Sequence, residues 1–107
     1  MQSLEEDFQV GLQSLKEYEG AVEIKVIEKH QASLSGVPAL TTTVTYKDSK
    51  SGQEWLSRDV TAIDEGQIVY FIELKCDPRD KKLLLPIFEQ IARSFKISCR
   101  GSREDPS

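Results

Sequence analysis

From residue 3 to residue 19, apolar side chains recur at Leu4, Phe8, Leu12 and Leu15, which is one stripe of a helix with 3.6 residues per turn. Ser3 and Glu6 stand ahead of it as an S-x-x-E capping box, each side chain satisfying a backbone N–H of the first turn. Glu5, Glu6 and Asp7 put negative charge at the positive end of the helix dipole, and Gly20 is a natural stop. The period then changes to two. Residues 21–30 alternate Val22, Ile24 and Val26 against Glu23 and Lys25, and a shift of parity at Ile27 predicts a β-bulge. Ser35-Gly36-Val37-Pro38 leads through a turn into a strand over residues 39–47, with Leu40, Val44 and Tyr46 on one face. A polar loop at 48–52 precedes a strand over 53–63, which alternates around Leu56, Val60 and Ala62 with Trp55 opposite. Asp64-Glu65-Gly66 predicts a second tight turn. Residues 67–75 place Ile68, Tyr70, Ile72 and Leu74 on one face and Val69 and Phe71 on the other, a doubly apolar pattern that predicts a central strand.

Asp77-Pro78 opens the last helix, an N-cap followed by a residue that needs no N–H at the first helical position. The pattern runs to Phe95 and turns Leu84, Ile87, Phe88, Ile91, Ala92 and Phe95 toward the sheet. Pro86 inside it predicts a kink, or a split into a short turn and a main helix. Residues 96–100 fit a short final strand and 101–107 a disordered polar tail. The expected fold is therefore α+β: one domain over residues 1–100, an antiparallel β-meander of four to five strands with an N-terminal and a C-terminal helix packed on the sheet. Both helices are expected over a single apolar face, leaving the other face of the sheet open.

A chain of 107 residues buries enough surface for one core without staples. The net charge of −4, with both signs interspersed, argues against nucleic acid as the main partner, because phosphate binding needs a clustered positive patch. No apolar run approaches the length of a membrane span, and residues 1–20 lack the basic and apolar blocks of a signal peptide. The chain as it stands reads as cytoplasmic, and as periplasmic or secreted if an upstream segment carries an address.

Candidate chemistry is sparse. The one histidine, His30, has Glu28 two residues away but no nucleophile beside it, so it reads as an exposed strand-end histidine. Asp59, Asp64, Glu65 and Glu73 are scattered without metal-ligand spacing and read as solvated strand faces and turn chemistry. No cofactor or metal is implied. Arg79, Lys81 and Lys82 read as a solvated helix face. Cys76 shares parity with Ile72 and Leu74 on the core face, and Cys99 shares parity with Ile97, so the two thiols either pair across a final strand or remain free. Trp55 and Phe71 point away from the Leu56/Tyr70 face, where large aromatics either lie beneath a covering element or form a partner surface.

Three segments carry a resemblance: the helix from Ser3 leading into a Val/Ile strand, "LSGVPALTTTVTY" at 34–46, and "PIFEQIARSF" at 86–95. Together they resemble the PsbP/DcrB-like superfamily, which includes the extrinsic photosystem II protein, DcrB-type proteins, the Ran-binding nuclear import factor and chaperones of secreted effectors. The resemblance covers most of residues 3–98 and rests on packing signatures. Family members usually begin with a further strand pair bearing a Pro-x-x-Trp-type segment, which this chain lacks. The resemblance implies a shared fold and mostly protein-binding roles, with no common catalytic residue to carry over. The function expected is thus a non-catalytic protein-binding module, an adaptor, chaperone or accessory subunit. The alternative is a carrier of a small ligand or lipid, and an enzyme ranks last. A homodimer through an open sheet edge is a further option.

Overall fold

The computed structural model describes residues 3–65 and 67–95. The element order is α1 (Leu4–Tyr18), β1 (Ala21–Leu34), β2 (Val37–Asp48), β3 (Glu54–Ile63), β4 (Val69–Cys76), a 3-10 turn (Pro78–Asp80) and α2 (Lys81–Ser94). The four strands form one antiparallel sheet in the order β1-β2-β3-β4, the meander expected for an α+β fold with a helix at each end. A fifth strand at 96–100, the tail at 101–107 and Cys99 lie outside the described residues.

The capping box at the start of α1 is complete: the Glu6 amide donates to the Ser3 hydroxyl at 3.1 Å and the Ser3 amide donates to the Glu6 carboxylate at 2.8 Å. Gly20 ends the helix at φ +66°, a left-handed conformation that reverses the chain into β1, and its carbonyl accepts the Ser49 amide. The predicted bulge is present between Val26 and Glu28, and a second irregularity lies between Val22 and Lys25, where Glu23 takes φ +53°. Ser35 and Gly36, both at positive φ, form the two-residue hairpin to β2. His30 pairs with Thr41 within β1 rather than ending the strand, because β1 continues to Leu34.

Two cores result. On one face Leu34, Ala39, Val60, Ala62 and Phe88 are buried, with Tyr70, Ile72, Leu74 and Phe95 packed against them, and this is the face that α2 covers. On the other, Ala21, Val44 and Tyr46 are buried beneath Phe8, Leu12 and Leu15 of α1, with Ile24 and Trp55 alongside. The helices therefore lie on opposite faces of the sheet, which corrects the expectation that both cover one face. The same arrangement corrects the placement of β4. It is an edge strand: Tyr70, Ile72 and Leu74 meet the α2 core, while Val69 and Phe71 on the other side are exposed. The last helix also departs from its pattern. The short turn precedes Lys81, Pro86 lies inside α2, and Ile87 and Ile91 are about half exposed, at 48% and 52%, because α2 rests on the sheet through Phe88 and its neighbours.

Arg58 anchors the α2 side. Its guanidinium, with a side chain only 11% exposed, bonds Glu28 at 2.6 Å, Glu89 of α2 at 2.6 Å and the Thr43 hydroxyl at 2.9 Å. These charge-assisted bonds link β1, β2, β3 and α2, and the guanidinium holds the Glu28 carboxyl below its ordinary pKa.

Candidate functional site

The register places Ser57, Asp59 and Thr61 of β3 beside Lys75, Glu73 and Phe71 of β4, and beside Val44, Thr42 and Leu40 of β2. All of these share the face covered by α1. That helix is tied toward the β1 side by Lys29, whose ammonium lies 2.9 Å from Glu5 and over the Phe8 ring. Between α1 and the β3/β4 side of the sheet lies a cleft of about 300 Å³. Its wall on α1 is Leu4, Asp7, Phe8, Gly11, Leu12, Ser14 and Leu15, extended by Glu19 at the C-cap; its floor is Leu40, Thr42, Val44, Ser57, Asp59 and Thr61, with Phe71 and Glu73 at the β4 side.

Gly11 helps to make the room. A Cβ there would meet nothing within 4 Å, and Gly11 lines the cleft at a point where the helix carries no side chain. The apolar walls are contributed by residues whose helical and strand periods already pointed them at each other. The polar floor has a different origin: Asp59 and Glu73 are direct cross-strand partners, and α1 lies over them.

Desolvation beneath α1, the neighbouring Glu73 carboxylate and, more weakly, Asp7 push the Asp59 carboxyl up to about 7. Oδ1 of Asp59 is buried and has no hydrogen-bond partner among the described residues. Glu73 accepts the Ser57 hydroxyl at 3.2 Å. At the far end Lys75 stacks on the Trp55 ring at 4.9 Å and lies 3.6 Å from Glu19. Such a pocket can hold a ligand with an apolar body and a polar or charged end. The described residues include no group of three or more His, Cys, Asp or Glu placed to hold a metal ion.

The residues singled out by sequence separate. Trp55 and Phe71 do lie on the face opposite Leu56 and Tyr70, but differently: Trp55 packs into the α1 core beside Tyr46, while Phe71 is 64% exposed at the cleft. His30 Nδ1 lies 3.1 Å from Glu28, whose other oxygen is held by Arg58, so this pair belongs to the α2 anchor. Asp64 shapes its turn by accepting the Ile68 amide and the Tyr70 hydroxyl, each at 3.0 Å. Cys76 is buried and has no disulfide partner among the described residues, which do not include Cys99. Asp59 is the correction: it reads from sequence as a solvated strand position and is in fact largely buried against α1. Gly11 and Asp7 were not anticipated as site residues. A glycine inside a well-patterned helix was the available signal for the first; nothing in the spacing marks the second.

No family model, curated protein or solved structure matches the chain. Among the described residues no helix is long and apolar enough to cross a membrane.

Proposed function

We propose that the chain is a non-catalytic binding module and that its ligand is a small amphiphilic molecule held between α1 and the sheet. The carrying observation is the cleft itself, lined by Phe8, Leu12, Leu15, Val44 and Phe71 around the carboxylates of Asp59 and Glu73. Packing that leaves such a volume between two well-formed elements forgoes dispersion contacts that filling side chains would supply. A binding role accounts for that cost. The PsbP/DcrB-like resemblance agrees in kind, since it implies binding roles and carries no catalytic residue onto this chain. The test is to fill the cleft. Gly11→Phe projects a ring into space that is open in the fold, and it should leave the thermal transition in place while abolishing uptake of decan-1-ol, read by Trp55 fluorescence and native mass spectrometry. Unchanged uptake by the filled variant would remove the cleft as the site.

A second reading, a partner protein, is favoured by the outer face of α2. Leu83, Ile87 and Ile91 recur there at helical spacing and are all about half exposed or more. The reading takes an apolar groove or helix of another protein as the occupant. A Leu83→Glu/Ile91→Glu double variant that keeps its stability but loses a co-purifying partner supports it, and a partner retained by that variant contradicts it.

A further inference from the structure

The polar residues of the cleft are unevenly signed. Asp7, Glu19, Asp59 and Glu73 line it, and none of its described lining residues is Lys, Arg or His. Lys29 and Lys75 are nearby but engaged elsewhere: Lys29 with Glu5 on the β1 side, and Lys75 with Glu19 and the Trp55 ring at the far end. The carboxylates of Asp59 and Glu73 lie side by side across β3 and β4, with Asp7 approaching from α1. Two ionised carboxylates so placed repel each other, and a cation between them removes that penalty. The remaining wall, from Phe8, Leu12, Val44 and Phe71, is apolar.

Resting on the binding role proposed above, we infer that the cleft selects a cationic amphiphile, a protonated amine on an apolar chain, with the ammonium received by Asp59 and Glu73 and the chain lying along α1 toward Leu15. An anionic amphiphile such as a fatty acid is excluded by the same carboxylates, and a neutral one is held by the walls alone.

The groups facing Asp59 are Glu73 from β4, Asp7 from α1, Ser57 on its own strand and Thr42 from β2. None is basic, so Asp59 ionises near neutrality only against carboxylates. Amine affinity should therefore rise as the pH goes from 5.5 to 8, because the ionised pair attracts the ammonium more strongly than the half-protonated one. By linkage the bound amine should lower the pKa of Asp59.

The experiment uses three probes of equal chain length, decylamine, decanoate and decan-1-ol, titrated into the intact chain at pH 8 and followed by Trp55 fluorescence, the signal of its one tryptophan. Decylamine should bind at least about tenfold more tightly than either of the others, equivalent to about 1.4 kcal/mol. Asp59→Asn/Glu73→Gln should erase that margin, with an unchanged circular dichroism spectrum and a cooperative thermal transition showing that the variant is folded. If decanoate or decan-1-ol binds as tightly as decylamine, the cationic preference is wrong and the binding role survives. If none of the three binds, the binding role itself fails. Amine binding that persists in Gly11→Phe overturns the assignment to this cleft.

Discussion

Replacing Asp59 with asparagine should stabilise the protein, and only above about pH 5. Asp59 is carried from an ordinary 3.8 to about 7 by burial under α1 and by the Glu73 carboxylate. A carboxyl so displaced prefers its neutral form by about 4 kcal/mol more in the fold than in the unfolded chain. The sign follows from proton counting. Between pH 4 and 7 the folded state holds a proton that the unfolded state has lost, so stability falls as pH rises and the contribution is gone above about 7. Asparagine keeps the shape and removes the charge. The variant should therefore gain about 2–4 kcal/mol at pH 8, differ by less than about 1 kcal/mol at pH 4.5, and show a flatter slope between. At about 4–8 °C per kcal/mol for a domain near this size, the melting point at pH 8 should rise by at least about 8 °C. Urea denaturation of both proteins at four pH values reads the effect. Glu28, whose pKa is lowered by Arg58, acts in the opposite sense and below this range, losing its contribution as pH falls through its folded value. A wild-type stability that is flat from pH 5 to 8, with Asp59→Asn neutral or destabilising at pH 8, would refute the buried-carboxylate reasoning.

Other substitutions test the frame that holds the cleft. Arg58→Ala removes the junction of Glu28, Thr43 and Glu89 and should cost about 2–4 kcal/mol in urea unfolding, because a largely buried charge-assisted network is lost while its half-exposed carboxylates rehydrate. Phe88→Ala should cost about 3–5 kcal/mol and Ile91→Ala less than about 1 kcal/mol, since one is buried on the sheet and the other half exposed; equal costs would mean that α2 is rotated. Gly11→Ala should raise stability by about 0.5–1 kcal/mol, as an exposed helical glycine with free space around its Cα, and a loss would show that the space is not open. Ser3→Ala should cost about 1 kcal/mol through the capping box, measured by thermal unfolding.

Much of this fold was legible in the residues. The period change after Gly20, the turn at Ser35-Gly36, the parity shift at Ile27 and the Asp77-Pro78 start each reflect a local constraint, and each appears where the pattern put it. What the pattern does not encode is the side of the sheet on which each helix lies. Strand parity sorts Phe71 from Tyr70 without saying which helix takes which side, so β4 read as central when it is an edge strand covered by α2 on one side and left with Phe71 exposed on the other. The cleft was hidden for the same reason. Asp59 sits between Arg58 and Val60 like any outward carboxylate, and becomes a buried one only because α1 crosses the far face. Trp55 and Phe71 share a face by parity, and the helix separates them into a packed residue and an exposed one.

The proposed binding role belongs to the cleft between α1 and the β3/β4 side of the sheet, and amide chemical-shift mapping with decylamine at pH 8 tests it most directly. Perturbations should concentrate at Asp7, Gly11 and Leu15 on α1 and at Ser57, Asp59, Phe71 and Glu73 on the sheet, with Leu83, Ile87 and Ile91 on the outer face of α2 unmoved. Shifts centred on α2, or spread evenly over the acidic surface, would contradict it.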